Sequence, residues 1–209
     1  MAVQPAYVGK LRFLALGDSY TIGESVAPRE RWPMQLAARV RKDGIDLSDP
    51  VIIARTGWTS GDLLAGMDQA KLTGKFDLVM LLIGVNNQFQ GRSEEEYRQQ
   101  FSELLKRAVA LAGGKAGHVV VLSIPDWSVM PFGRDFDAKR MSGEIDRFNV
   151  ICREEAVAAG AGYVDVTAVS RGATTRPGLI AGDGLHPSGK QYGEWVTAAM
   201  GTVKVVVAR

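Results

Sequence analysis

A serine, a histidine and an aspartate are spaced so that they could act as a nucleophile, its base and the group that orients the base. Ser19 follows an apolar run at positions 11–16, and Asp183 precedes His186 by three positions near the other end of the chain. A serine hydroxyl becomes a good nucleophile when a base takes its proton, and a carboxylate on the other ring nitrogen keeps that base in the correct tautomer. The Asp183 carboxylate is close enough in sequence to fold back onto Nδ1 of His186. These residues predict nucleophilic catalysis by Ser19.

Two further segments could supply hydrogen-bond donors to the same reaction. Gly57 follows a second apolar run, and Asn86 follows a third. The carboxyl ends of parallel strands meet at one edge of a sheet, so a glycine amide and an asparagine side chain would arrive near Ser19. Acyl transfer needs such donors, because they stabilise the negative oxygen that develops in the transition state.

Each of these pieces also has a structural explanation. Ser19 and the aspartate before it could simply cap a helix. Asp183 with the following glycine could form a turn, and His186 before proline could lead into a helix. The structural explanation weakens because four segments that suit one reaction occur in the same chain.

Short apolar runs alternate with amphipathic segments along the chain. The runs predict strands at 11–16, 51–54, 78–83, 118–124 and 163–166, and their nearly continuous apolar character indicates burial on both faces. Helical spacing predicts helices at 32–42, 59–70, 93–111 and 141–159 and a last helix after residue 188, while 203–207 fits a helix or a strand. Crossovers between parallel strands must lie against the sheet, so the alternation predicts a three-layer α/β/α domain.

Length and charge narrow the class of protein. The chain has 209 residues and a formal net charge of +2, without a long run of Lys or Arg. We expect a single domain over residues 1–209 and no nucleic-acid partner. The start of the chain lacks the pattern of a signal peptide and no apolar run is long enough for a membrane span, so a cytoplasmic location is expected. The single Cys152 lies in a predicted helix, where a buried structural role is expected.

Signals for other ligands are weaker. Residues 184–190 nearly match a phosphate-binding loop, but Gln191 stands where Ser or Thr should hold magnesium. His118 opens an apolar run, which favours a structural role. Two histidines and one cysteine are too few for a typical zinc site, so no metal is expected.

The longest segment without a predicted element, 125–137, follows the fourth predicted strand and carries Trp127, Phe132 and Phe136. At the carboxyl end of the sheet, such a segment would form a wall or lid over a ligand site. Trp127 either lines an acyl or sugar pocket or lies in the core beneath the segment. Asp126 is expected to be a turn residue.

Four short blocks resemble, in order, those of the SGNH hydrolases, also called the GDSL esterase and lipase family. The blocks are Gly17-Asp18-Ser19-Tyr20, Gly57, Gly84-Val85-Asn86-Asn87 and Asp183-Gly184-Leu185-His186-Pro187. Tyr20 replaces the family leucine at a variable position that does no chemistry. Asn87 replaces the aspartate of the third block. This change affects a supporting contact and leaves the catalytic residues of the family pattern in place. The resemblance covers most of the chain.

The resemblance implies a flavodoxin-like sandwich with about five parallel strands and an esterase without a metal or organic cofactor. By this analogy Ser19 attacks the acyl carbon, His186 acts as general base and then general acid, and Asp183 orients it. The backbone amides of Ser19 and Gly57 and the side chain of Asn86 would form the oxyanion hole. The expected substrate is a small-molecule carboxylic ester, either a short-chain acyl ester or an acetylated sugar. The choice would depend on the shape of the pocket, which the segments 23–31, 88–92 and 125–137 are expected to set. The alternatives are an acyltransferase that uses the same residues and a non-catalytic ligand-binding module on the same fold.

Overall fold

Five parallel strands form one sheet in the computed structural model of the protein, which describes residues 9–176 and 178–208. The strands are β1 (Phe13–Gly17), β2 (Val51–Ala54), β3 (Leu78–Leu82), β4 (Val119–Leu122) and β5 (Gly162–Val164). Their order is β2-β1-β3-β4-β5, and Leu14 pairs with Val51 on one side and Val79 on the other. This is the flavodoxin-like order, whose switch point lies between β1 and β3. The predicted parallel sheet is confirmed.

Helices cover both faces of the sheet. They are α1 (Ser19–Ile22), α2 (Trp32–Lys42), α3 (Ser60–Ala70), α4 (Val85–Phe89), α5 (Glu94–Leu111), α6 (Ala138–Ala159), α7 (Thr167–Arg171) and α8 (Gly189–Val207). On one face α5 packs between α3 and α6, and on the other α2 packs against α8. The predicted three-layer α/β/α architecture is therefore confirmed. No helix within the described residues combines the length and apolar character that a membrane span needs.

The segment 203–207, which fits a helix or a strand by sequence, is the end of α8. Val203, Val206 and Val207 are buried, whereas Val205 is 56% exposed. This spacing places three valines on the face that packs against the sheet, as helical periodicity requires.

The three central strands are buried along their whole length, which explains their nearly continuous apolar sequences. Every residue of β1, β3 and β4 is buried. The edge strand β2 is more open, and its Val51 is 40% exposed. Full burial of one large aliphatic side chain contributes roughly 1.5–3 kcal/mol, so the central strands give a rigid support to the loops that follow them.

Three short helices that the sequence pattern does not predict begin close to the ends of strands. α1, α4 and α7 contain four or five residues each, which is too few to show a helical repeat. The turn before α4 requires glycine: Gly84 has a φ of 129°, and a Cβ there would lie 2.6 Å from the hydroxyl oxygen of Tyr97. This turn places Asn86, in the first turn of α4, at the carboxyl edge of the sheet.

Cys152 is buried in the core, as its place in the sequence predicts. Its Sγ lies 2.7 Å from the hydroxyl oxygen of Tyr97, which also donates to the carbonyl oxygen of Ile83 over 2.8 Å. Burial raises the pKa of the Cys152 thiol to about 12. The reactive thiolate is therefore not formed at neutral pH.

Candidate active site

A cleft at the carboxyl edge of the sheet brings together residues from distant parts of the chain. Its volume is about 110 Å³, which is room for a group of a few heavy atoms. It is lined by Ser19, Tyr20, Val85, Asn86, Phe89, Trp127, Phe132, Leu185 and His186. Four of the predicted site residues therefore share one cleft, and Gly57 and Asp183 are not among the residues that line it.

The turn from β1 into α1 presents Ser19. Ser19 is the first residue of α1, and Oδ1 of Asp18 caps the helix by accepting the backbone N–H of Tyr20 over 3.0 Å. The Ser19 side chain is not hydrogen-bonded to His186 in the part of the chain that the structure describes. Both side chains nevertheless line the same cleft, and the hydrogen bond of a catalytic serine to a histidine often tightens only when substrate binds.

Asp183 and His186 form a hydrogen-bonded pair on the loop before α8. Oδ2 of Asp183 lies 2.6 Å from Nδ1 of His186, and Oδ1 accepts the backbone N–H groups of Leu185 (2.9 Å) and His186 (3.0 Å). The hydroxyl of Ser25 donates to Oδ2 over 2.6 Å. Burial opposes ionisation, but the hydrogen bonds from Ser25, the two amides and the imidazole together lower the pKa of the Asp183 carboxyl. Asp183 is therefore held as an anion beside the imidazole.

Asp18, directly before Ser19, has a raised pKa, in contrast to Asp183. It is fully buried, and its Oδ2 has no hydrogen-bond partner among the described residues. Burial outweighs the hydrogen bond from the Tyr20 amide and raises the pKa of Asp18 to about 7. A large fraction of Asp18 therefore carries a proton at neutral pH.

Tyr20, for which the family resemblance implies no chemistry, packs against the histidine ring. The centroid of its ring lies 5.4 Å from that of His186 and 6.1 Å from that of Trp195 on α8. Tyr20 is 3% exposed. This tilted aromatic contact fills the space beside the imidazole and restricts its rotation.

Asn86 and Gly57 occupy different positions relative to the cleft. Asn86 lines it, and its Nδ2 donates to the carbonyl oxygen of Trp58 over 2.9 Å. The amide has a second hydrogen for another acceptor. Gly57 lies on the exposed loop after β2 with a φ of 82°, and a Cβ there would meet nothing within 4 Å. Glycine at this position is favoured by the left-handed backbone and not by crowding.

Asn87, where the family pattern has aspartate, makes two hydrogen bonds with Ser60 in the core. Its Oδ1 accepts the backbone N–H of Ser60 over 2.9 Å, and its Nδ2 donates to Oγ of Ser60 over 2.8 Å. That hydroxyl in turn donates to Oε1 of Gln100 over 2.5 Å. The neutral amide therefore connects the start of α3 to α4, with a donor that a carboxylate would lack.

Trp127 lines the cleft and also belongs to the hydrophobic core. It is 2% exposed, and its Nε1 donates to Oε1 of Gln88 over 2.8 Å. Nε2 of Gln88 donates to Oε2 of Glu144 over 2.8 Å. This series of hydrogen bonds from α6 through α4 fixes the orientation of the indole ring.

Three phenylalanines surround the Trp127 ring and form with it an aromatic wall beside the cleft. Phe89, Phe132 and Phe136 are between 42% and 49% exposed, and their ring centroids lie between 5.0 and 5.9 Å from that of Trp127. The backbone N–H of Phe132 donates to the carbonyl oxygen of Gly184 over 3.0 Å. The aromatic wall is therefore attached to the loop that carries Asp183 and His186.

Asp126 anchors the segment that carries Trp127, Phe132 and Phe136 of the aromatic wall. Its Oδ2 accepts Nε of Arg171 (2.8 Å) and the hydroxyl of Ser142 (2.5 Å), and its Oδ1 accepts the hydroxyl of Ser128 (2.6 Å). Burial opposes ionisation, but these three side chains and the Ser128 amide together lower the pKa of Asp126. Asp126 is therefore a structural anion rather than a second acid in the cleft.

Ser25, Gln88 and Phe89 lie in segments that the sequence predicts to shape the pocket, 23–31 and 88–92, but no individual role is predicted for them. Gln88 and Phe89 belong to α4 and not to a loop. Gln88 and Phe89 follow Asn86 within the same helical turn, so a helix starting at residue 85 would have indicated them. No sequence signal indicates the contact of Ser25 with Asp183, because it joins residues 158 positions apart. Within the described residues, no group of His, Cys, Asp and Glu could hold a metal ion.

Comparison with known proteins identifies the family. The GDSL-like lipase/acylhydrolase family matches residues 15–193, which is most of the chain. The chain belongs to this family. The resemblance seen in the four sequence blocks is thereby confirmed. No curated protein sequence matches this GDSL-family chain.

Solved structures share the fold at low sequence identity. The crystal structure of TesA has a TM-score of 0.73 and 21% identity, and the match covers 93% of this chain and 99% of that one. The esterase EstA from Pseudoalteromonas sp. has a TM-score of 0.71 and 16% identity, with coverage of 95% and 99%. A variant of Axe2, an acetyl-xylooligosaccharide esterase from Geobacillus Stearmophilus, has a TM-score of 0.72 and 18% identity, with coverage of 94% and 95%. These likenesses establish the fold of the GDSL-family chain.

Proposed function

We propose that this GDSL-family protein is a serine esterase that hydrolyses a small carboxylic ester through an acyl-serine intermediate. The observation that carries the proposal is the 2.6 Å contact between Asp183 and His186 beside a cleft that also contains Ser19. With Nδ1 engaged by the carboxylate, Nε2 is the ring nitrogen left to accept a proton.

The proposed reaction consists of two transfers of the acyl group. In the first, Oγ of Ser19 bonds to the acyl carbon while His186 takes the hydroxyl proton, and the alcohol then leaves with that proton. In the second, His186 takes a proton from water as the water oxygen bonds to the acyl carbon. The bond to Ser19 then breaks, and its Oγ recovers the proton from His186. No cofactor or metal takes part.

The oxyanion of both transfers is held by the backbone amides of Ser19 and Gly57 and by the side-chain amide of Asn86. Two observations support these assignments. The N–H of Gly57 makes no hydrogen bond within the described residues, and Asn86 has one amide hydrogen besides the one it gives to Trp58. One such donor is commonly worth about 3 kcal/mol in the transition state.

The size and lining of the cleft support a short acyl group. A volume of about 110 Å³ has room for a few heavy atoms. The aromatic wall, with Trp127 at its base, offers an apolar surface on which an acyl chain or the apolar face of a sugar packs. Short-chain acyl esters and acetylated sugars are therefore the first classes to test. The similarity to an acetyl-xylooligosaccharide esterase agrees with the second class.

The decisive experiment measures initial rates on p-nitrophenyl acetate with the wild-type protein and Ser19→Ala. Ser102→Ala is the matched control, because Ser102 lies on α5 in a groove facing α6. Ser19→Ala is expected to lower kcat by about a thousandfold or more, since the nucleophile is lost. Equal rates in wild type and Ser19→Ala would contradict the proposal.

A substrate series then separates the remaining alternatives. Acetate and butyrate esters are expected to react faster than octanoate, and acetylated xylo-oligosaccharides are tested beside them. Ester product in place of free acid, when an alcohol acceptor is added, would identify an acyltransferase. Saturable ester binding without turnover on any substrate would identify a ligand-binding module.

A further inference from the structure

The turn at Glu24 and Ser25 has an unusual backbone for the residues it contains. Ser25 has a φ of 63°, in the left-handed region that residues with a Cβ rarely adopt. In the described part of the chain, Lys71 is the other non-glycine residue with a positive φ, and it ends a helix, where this conformation is common. Ser25 does not end a helix, so its conformation calls for another reason.

The Ser25 side chain contacts the acid of the site. Its hydroxyl donates over 2.6 Å to Oδ2 of Asp183, the oxygen that also lies 2.6 Å from Nδ1 of His186. The hydrogen bond from Ser25 therefore fixes the orientation of the carboxylate that holds the imidazole of His186. Ser25 is exposed, so water could solvate its hydroxyl without the left-handed backbone.

The neighbouring residue contacts the opposite side of the site. The carboxylate of Glu24 accepts a hydrogen bond from the hydroxyl of Thr56, the residue before Gly57. The backbone N–H of Glu24 donates to the carbonyl oxygen of Ser19 over 3.0 Å. Two consecutive residues thus join the nucleophile, the glycine loop and the acid.

We propose that Glu24 and Ser25 form a positioning element, here called the clasp, which holds the Asp183–His186 loop and the Gly57 loop in register with Ser19. The clasp touches neither the acyl group nor the attacking water, and it acts through Asp183 and Gly57. This inference rests on the proposed esterase function.

Substitutions at Ser25 separate positioning from folding. Ser25→Gly removes the hydroxyl and also relieves the left-handed backbone, so the melting temperature is expected to stay the same or rise. At the same time kcat is expected to fall by about tenfold, because a hydrogen bond to a charged group is lost, with KM nearly unchanged. A purely structural role predicts the reverse: full activity wherever stability is kept.

Ser25→Asn is the rescue variant. Asparagine tolerates the left-handed region, and its amide can donate to Asp183. It is expected to recover more of kcat than Ser25→Ala, which has neither the hydroxyl nor the conformational freedom of glycine. Full kcat in Ser25→Gly, or equal kcat in the alanine and asparagine variants, would overturn the role of Ser25.

The Glu24 half of the clasp is tested with Thr56→Val, which keeps the shape of the side chain and deletes the donor to Glu24. A fall in kcat of about threefold to tenfold is expected, because the Gly57 amide moves relative to Ser19. Unchanged kcat would remove Glu24 from the proposal. Ser102→Ala is the control for each comparison.

A spectroscopic measurement keeps the clasp distinguishable from the esterase function. The chain has two histidines, so the proton resonance of the Asp183–His186 hydrogen bond can be assigned with His186→Gln. Ser25→Gly is expected to shift this resonance, whereas Ser102→Ala leaves it in place. If the wild-type protein cleaves no ester, the proposed function fails while the shift still supports the contact. If the protein is active and Ser25→Gly leaves both the resonance and kcat unchanged, the clasp alone fails.

Discussion

Two carboxylates at the site, Asp18 beside Ser19 and Asp183 beside His186, differ in charge because they differ in burial and in hydrogen-bond donors. Asp183 is hydrogen-bonded to two backbone amides, a serine hydroxyl and the imidazole, and its pKa is lowered. Asp18 accepts one hydrogen bond, from the backbone N–H of Tyr20, and its other oxygen has no partner among the described residues. Its pKa is raised to about 7. Burial and the number of donors, and not distance from Ser19, therefore decide which carboxylate is an anion.

The contributions of Asp183 and Asp18 to the free energy of unfolding depend on pH in opposite ways. Asp183 has a lowered pKa in the folded protein, so its contribution is present above the pKa of an unfolded aspartate, about 3.9, and is lost as the pH falls below it. Asp18 has a raised pKa, so the folded state keeps a proton that the unfolded chain releases. Its contribution is therefore largest at acid pH and declines as the pH rises from about 4 to 7.

The largest effect is expected at Asp183. Asp183→Asn removes the negative charge beside His186 and offers an N–H₂ group to partners that need an acceptor, so kcat for p-nitrophenyl acetate should fall by about 10⁴-fold. Asp18→Asn is the matched control and should change kcat by less than about tenfold, because it replaces a carboxyl that is already partly protonated at neutral pH. Similar losses of kcat in the two variants would contradict the distinction between an anionic Asp183 and a partly protonated Asp18.

A smaller effect is expected from the buried charge of Asp18. The difference in free energy of unfolding between Asp18→Asn and wild type should grow as the pH rises from 4 to 7 and then level off. A shift from 3.8 to about 7 corresponds to a change on the order of 4 kcal/mol. Urea unfolding of both proteins at several pH values measures it. Parallel stability curves over this range would mean that Asp18 ionises at the same pH in both states.

The smallest effect is expected from a third acid placed at Asn87. Asn87→Asp keeps the acceptor for the Ser60 amide but removes the donor to its hydroxyl, so it should cost about 1–3 kcal/mol of stability at pH 7. Because the new carboxyl is buried, its pKa should be raised and the cost should shrink at pH 4. Asn87→Ser is a neutral control whose cost should not depend on pH. A stable Asn87→Asp variant at pH 7 would show that the core supplies another donor.

The sequence by itself determined the framework and which residue types come together at its carboxyl edge. Apolar runs long enough for β1, β3 and β4 occur where these strands are buried on both faces, and the amphipathic repeats coincide with the five long helices. Ser19, Asn86 and His186 were indicated because residues that follow parallel strands must meet at one edge of the sheet. The Asp183–His186 contact was predictable because it spans three positions.

The tertiary structure alone decided the surroundings of these residues. The charge of Asp18 depends on burial by other elements, the packing of Tyr20 on His186 depends on the approach of α8, and the contact of Ser25 with Asp183 joins residues 158 positions apart. Short-range patterns such as strand alternation and helix caps extend over a few residues. Burial and long-range hydrogen bonds arise only when the sheet brings the loops together, so no local pattern encodes them.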